Sequence, residues 1–297
     1  MKSSPPGALE SMSDRRAPRG ARSTVVTERD REILAFVAQH RIVLVGHVQT
    51  LLGTSGSVAY SRLRALISCG LLEHTQVLHK QPGWYQITRA GLAFVGSDLP
   101  RPRIDLRCHG HDIGMAWVWL AASRGAFGRA RHLVSEREMR SRDATAAADH
   151  RRTPGAHEEL EPRAGGDPRP PFGVRLGGVG PRGQVRLHYP DLLLIGARGE
   201  RVAIELELSA KGGRRLETIL AGYGADPSID AVLYLVEKPQ IQRAVRSAAA
   251  RLGISDLVHI QPVAWPRGAE PGAGRGRSQV KAPRARAARD RVEAPAR

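Results

Sequence analysis

From Tyr189 to Lys211 the chain reads Tyr-Pro-Asp, an apolar run Leu192–Ile195, a reversal marked by Gly196 and Gly199, and then Ile-Glu-Leu-Glu-Leu-Ser-Ala-Lys. Apolar–acidic alternation has a period of two, which a β-strand satisfies and a helix does not. The segment is therefore expected to be a hairpin whose second strand is half-buried. Side chains repeat every two residues, so Glu205 and Glu207 share one face while Ile204, Leu206 and Leu208 fill the other. Folding the hairpin back brings Asp191 to the acidic face. Three carboxylates and Lys211 at a strand end suit a hard divalent cation, which takes oxygen ligands and stabilises charge on a phosphate. An ordinary hairpin with a solvated acidic face fits the same letters.

The flanking sequence supplies elements for a larger domain. An apolar-rich helix is expected from His111 to Ser123, and a strand from His132 to Met139 carrying Glu136 and Glu138. A strand over Leu187 to Ile195 leads into the alternating one. Leu216, Ile219, Leu220 and Tyr223 recur at helical spacing, with Arg214 and Arg215 in the first turn. Ala231 to Val236 reads as a buried strand, Pro239 opens a helix to about Leu252, and Leu257 to Val263 reads as a last strand. The order is αβββαβ with an added helix and strand. Residues 141–183, polar and rich in Gly, Pro and Ala, are expected to form a flexible insertion.

Pattern and spacing together resemble the PD-(D/E)xK nuclease superfamily. The resemblance implies that Pro190-Asp191 is the Pro-Asp element, Glu205 the second acid and Glu207 the position usually held by lysine. It makes Asp191, Glu205, Glu207 and Lys211 the candidate catalytic set, with Asp191 and Glu205 holding Mg²⁺ or Mn²⁺. Lys211 keeps the strand's parity, although Gly212 and Gly213 mark the strand as already ended. Glu136 is a second-tier acid, and Arg214 and Arg215 are candidates for holding a phosphate.

A separate unit is expected over residues 24–98. Thr27 with Asp30 three residues on forms a capping-box pattern, and Ile33, Leu34 and Val37 make one helical face. A second helix runs from about Leu44 to Leu52. Ser55 or Ser57 caps a third, with Val58, Leu63, Leu66 and Ile67 read as inward-facing. Strands over Leu71–Val77 and Trp84–Ile87 flank the turn Gln81-Pro82-Gly83, and Thr88 caps a helix through Val95. Three helices and a hairpin in this order resemble a winged helix-turn-helix. That resemblance implies DNA contacts from Ser57, Tyr60, Ser61 and Arg64 on the third helix, and from Lys80 beside His79 at the wing tip. A winged helix used only for protein contacts or dimerisation is the alternative.

The whole is thus expected to be α/β, α+β overall: a winged helix over 24–98, a nuclease-like domain over 104–264, and basic disordered tails at 1–23 and 265–297. A formal charge of +17 and a pI near 11.1 favour a polyanionic partner, most simply double-stranded DNA. No apolar run spans a membrane and no apolar signal core opens the chain, so a cytoplasmic protein is expected. Cys69 and Cys108 imply no disulfide framework. Cys108-His-Gly-His-Asp112 lacks a second ligand pair at finger-like spacing and reads as a helix start. No GxxxxGK[ST] loop supports ATP-driven work.

The winged helix, the His-Asp helix start, Tyr-Pro-Asp, the Glu-x-Glu strand and the Arg-Arg-Leu helix together resemble the plasmid replication-relaxation proteins of actinobacteria, over about Thr27 to Val263. The resemblance implies a DNA-associated role in replication or transfer of mobile elements. Two readings follow: a metal-dependent nuclease or nickase, or a non-catalytic DNA-binding regulator with a degenerate nuclease-like domain. A homodimer is compatible with either.

Overall fold

A computed structural model describes residues 25–77, 81–152, 172–180, 183–263 and 265. The expectations for both tails, for residues 153–171 of the insertion, and for His79 and Lys80 lie outside the described residues. Those described form a mixed α/β molecule with eight α-helices and nine strands. No helix among them is long and apolar enough to cross a membrane.

The N-terminal part comprises α1 (Glu28–Gln39), α2 (Val45–Leu52), α3 (Gly56–Ser68), β1 (Leu72–Thr75), β2 (Trp84–Ile87) and α4 (Arg89–Phe94). Local chemistry sets these boundaries. The backbone N–H and the hydroxyl of Thr27 both donate to Asp30 Oδ2, each at 2.8 Å. Thr88 Oγ1 accepts from Gly91 N at 3.0 Å and so caps α4. α2 stops at Gly53, whose φ of 62° lies in the left-handed region that glycine enters without a Cβ penalty. Asp30 also does a second job. It is fully buried and accepts from Arg62 Nε at 2.9 Å, tying α3 to the start of α1. Burial alone would raise its pKa; the Arg62 and Thr27 hydrogen bonds outweigh that and hold it below the usual range.

Ile33, Leu34 and Val37 pack with Leu63, Leu66, Trp84 and Ile87 into one core. Val58 does not join them. It is 44% exposed, because Ala59, Leu63 and Leu66 form the inward stripe and Val58 lies one residue, about 100° of helix, off it. β1 and β2 are antiparallel, with Leu72 opposite Ile87 and Thr75 opposite Trp84. Backbone hydrogen bonds between Val43 and Tyr85 attach the link before α2 to this hairpin.

The remainder runs α5 (His109–Ser123), β3 (His132–Ser135), α6 (Glu136–Arg152), β4 (Val174–Val179), β5 (Val185–His188), β6 (Leu192–Ile195), β7 (Arg201–Glu207), α7 (Gly213–Gly224), β8 (Ala231–Val236), α8 (Pro239–Arg251) and β9 (Val258–Pro262). Five strands make one sheet in the order β3-β6-β7-β8-β9. β6 runs antiparallel to both of its neighbours, β3 and β7, whereas β7, β8 and β9 run parallel. Leu193, Ala203, Val232 and Tyr234 face α7 and α8. Leu192, Leu194, Ile204 and Leu206 face α5.

Four expectations change here. β7 is the central strand, covered on both faces, so its acidic face is neither half-exposed nor solvated: Glu205 is 1% and Glu207 5% exposed. The expected strand over His132–Met139 stops at Ser135, whose Oγ accepts from Glu138 N at 3.1 Å and starts α6, with Glu136 and Glu138 favouring its N-terminal dipole. The expected insertion is therefore helical up to Arg152 and contains strand β4 from Val174. The single strand over Leu187–Ile195 is two strands in different sheets, interrupted at Tyr189-Pro190, where proline has no N–H to continue a ladder.

Two contacts fix how the parts meet. A Cβ on Gly114 would lie 2.7 Å from Leu206 Cδ2, so α5 rests closely on β7 and a larger residue there would make the Leu206 side chain shift. The same helix sends Ile113, Ala116, Trp117 and Leu120 into the N-terminal core. Arg137, buried at the start of α6, donates to the carbonyls of Ala38 (2.7 Å), His40 (3.2 Å) and Pro100.

Candidate functional site

The carboxylates converge because of strand register. Leu192 pairs with Ile204, which sets Asp191 beside Glu205 on adjacent strands. Leu206 N donates to Asp191 Oδ2 at 2.8 Å, extending the ladder through a side chain. Glu207 follows Glu205 on the same face at the strand's end. β7 ends at Glu207, yet Lys211 turns back from the loop before α7. Its Nζ lies 2.6 Å from Glu207 Oε2 and 3.7 Å from Glu205 Oε2. The four residues expected from the sequence therefore occupy one place. They line a cleft of about 510 Å³.

Three further groups, His111, His188 and Arg41, line that cleft, and a fourth, Tyr223, is buried behind its carboxylates. His111 of α5 donates from Nε2 to Asp191 Oδ2 at 3.0 Å. His188 of β5 donates from Nε2 to Glu205 Oε1 at 2.7 Å, and Tyr223 of α7 donates to the same oxygen. Arg41, from the N-terminal part, reaches Glu136 at 2.8 Å and Asp112 at 3.4 Å. Glu136 also accepts from Arg140 at 2.8 Å. The second-tier acid thus belongs to the cleft wall, held between two arginines. The other oxygen of Asp112, Oδ2, is buried with no partner among the described residues.

Electrostatics follow from this pairing. Burial disfavours the Asp191 carboxylate, but His111 beside it prevails and lowers its pKa to about 2. Burial likewise opposes charge on His111, and Asp191 overrides it, raising the imidazolium to about 9. Glu207 is raised by burial in spite of Lys211. Lys211 is raised because Glu205 and Glu207 outweigh the burial that would lower it. Tyr223 and Tyr234 go well above the ordinary phenol, first through burial and then through the neighbouring carboxylates.

Asp191 and Glu205 supply oxygen donors on adjacent strands, the donor chemistry of a hard cation. Among the described residues no group of three or more His, Cys, Asp or Glu is arranged to hold a metal. Mg²⁺ does not need such a cage, since one or two carboxylates with water and substrate phosphates commonly hold it. The pair fits Mg²⁺ or Mn²⁺ on those terms.

The other sequence candidates sit elsewhere. Arg215 lines the cleft, while Arg214 opens onto the groove beside it. Ser57, Tyr60, Ser61 and Arg64 are all exposed on α3 and none lines the cleft. Sequence reasoning missed His111, His188, Tyr223 and Arg41. His188 stands three residues before Asp191 in His-Tyr-Pro-Asp, which is a usable signal; the other three are joined to the site only by tertiary contacts. No protein-family model matches the chain, and no curated protein matches it.

Proposed function

We propose that this chain is a DNA-binding protein of the replication-relaxation type, with a winged helix over α1–α4 and a nuclease-like domain built on the five-stranded sheet, acting on double-stranded DNA in plasmid or mobile-element replication or transfer. The observation that carries the reading is the return of Lys211 to Glu205 and Glu207. The ammonium missing from position 207 is restored to the carboxylate cluster from the following loop. Support for the first unit comes from the exposed polar face of α3 and the β1–β2 hairpin beside it. Support for the second comes from the α5, β3, β6, β7, α7, β8 order and the acids at the centre of its sheet.

In a nicking reaction water adds to phosphorus, the P–O bond to one sugar breaks, and the departing oxygen takes a proton. A cation held by Asp191 and Glu205 would supply charge stabilisation to the phosphate. Lys211, aligned by Glu207, is placed to orient the water or to offset charge gathering on the phosphate. His111 holds Asp191 ionised and in position. The non-catalytic reading keeps one specific point in its favour: every cluster carboxylate already has a cation or donor from the protein itself, and Glu207 replaces the superfamily lysine.

Supercoiled plasmid incubated with the protein and Mg²⁺ or Mn²⁺ separates the readings. Conversion to open circles that is lost in Glu205→Gln supports the nickase. No conversion, together with a gel shift weakened in Arg64→Ala by about 1–3 kcal/mol, would assign the regulator. Absence of any gel shift would remove the DNA-binding reading altogether.

A further inference from the structure

We infer that the groove between β5 and α7 is a track for the phosphate backbone of duplex DNA, delivering it to the carboxylate cleft. The groove encloses about 630 Å³ and shares Arg140, His188 and Arg215 with the cleft, so the two form one continuous depression. Its cations are available. Arg186, Arg214 and Arg215 are exposed and have no carboxylate partner among the described residues. The first turn of α7 carries no acid, and its one glutamate, Glu217, is turned to Arg251 of α8 at 2.5 Å.

The groove is a built feature. Its outer wall is the β4–β5 hairpin, which lies against α7 through Val174 and Leu176. A Cβ on Gly222 would come within 2.8 Å of the Arg175 carbonyl oxygen, so glycine in α7 is what lets β4 approach this closely. Gly173 N donates to Asp143 Oδ2 of α6 at 3.0 Å and pins the start of the same hairpin.

The lining chemistry selects the form of nucleic acid. Single strands are gripped by stacking bases on aromatic faces. Among the described residues no Phe, Tyr or Trp lines this groove, and nearby Tyr189 is covered by the Arg140 guanidinium, 4.4 Å from its ring centroid. What remains is fixed positive charge at phosphate-binding positions, which positions a duplex without reading its sequence.

This inference rests on the DNA-binding reading, and the test separates the two. Binding of the full-length protein to a short duplex of arbitrary sequence, and to oligo-dT of equal length, is followed by fluorescence anisotropy across a salt series. In the Arg186→Ala, Arg214→Ala, Arg215→Ala triple variant the log–log salt slope for duplex should be shallower by about 2.7, since each phosphate left without its arginine takes about 0.9 from the slope. Oligo-dT binding should change far less, and lysine at all three positions should restore the duplex slope. An unchanged duplex slope in the triple variant overturns the track while leaving DNA binding standing. Equal losses on duplex and oligo-dT overturn the duplex assignment. If the wild type binds neither, the DNA-binding reading fails and takes the track with it. Because the three arginines are exposed, an unaltered melting temperature confirms that the variant is folded.

Discussion

At the scale of single residues the cluster is a charge balance in a place water barely reaches. Glu207 is buried, and its only cation among the described residues is Lys211 at 2.6 Å. Removing one partner of such a pair leaves the other charged and desolvated, which costs far more than the pair contributes. Lys211→Met should therefore destabilise the protein by about 3 kcal/mol in urea unfolding. Adding Glu207→Gln to that variant should recover most of the loss, since no stranded charge is left. Additive losses in the double-mutant cycle would show that Lys211 and Glu207 do not act as a pair. The same arithmetic warns against simple restoration of lysine at position 207. With Lys211 in place, Glu207→Lys would set two ammonium groups beside one another.

Between elements, the contact of α1 and α2 with α5 is made by buried histidines. His40 sits edge-on to Trp119 and donates from Nδ1 to the Phe36 carbonyl at 2.7 Å. His47 packs against Trp117 at 4.3 Å between ring centroids. Burial lowers His40 to about 4, with Arg137 adding to the effect, and burial and His40 push His47 well below its ordinary value. Both bind protons more readily when unfolded, so stability rises with pH across this range. Their contribution is complete above the unfolded value near 6.5 and is lost as pH falls from there towards 4, by at most about 1.4 kcal/mol per pH unit for each histidine. Urea midpoints between pH 7.5 and 4.5 should show this fall. His40→Gln, which can still donate to Phe36, should flatten it; an unchanged slope would take His40 out of the account.

For the molecule as a whole, the two cores are joined and not merely adjacent. Arg137 donates across the boundary to three carbonyls that no apolar side chain of similar length could satisfy. Its pKa drops to about 10 through burial and the proximity of Arg41, which outweigh the opposing pull of Asp112. Arg137→Met should cost about 3 kcal/mol through unsatisfied acceptors. It should also turn one cooperative unfolding transition into two, because α5, the Arg41–Glu136 ion pair and the Ser135–Gln39 hydrogen bond would then have to tie the parts together without it. A single, unshifted calorimetric transition would contradict this. Arg41 crosses the same boundary into the cleft, so the N-terminal part helps to form the wall of the candidate site.

Much of this was legible in the sequence where the governing interactions are local. Caps at Thr27 and Thr88, the strand over Trp84–Ile87, the buried strand Ala231–Val236 and the face shared by Glu205 and Glu207 all follow from periodicity and short-range hydrogen bonding. Asp191 joined them because a hairpin fixes register over a few residues. The Ser135-Glu136-Arg137-Glu138 helix start was equally local and readable, but the apolar letters before it favoured continuing the strand. Tertiary structure alone decided the rest. Whether β7 had one wet face or none depended on α5 and α7 arriving from opposite directions. His111, 80 residues from Asp191, and Arg41, 71 from Asp112, met their partners only through helix packing. Lys211 reached Glu207 because a loop, which has no period to read, bent back over a strand end. Spacing along the chain specifies neighbours within an element; charge balance in a buried cleft is set by groups that spacing cannot bring together.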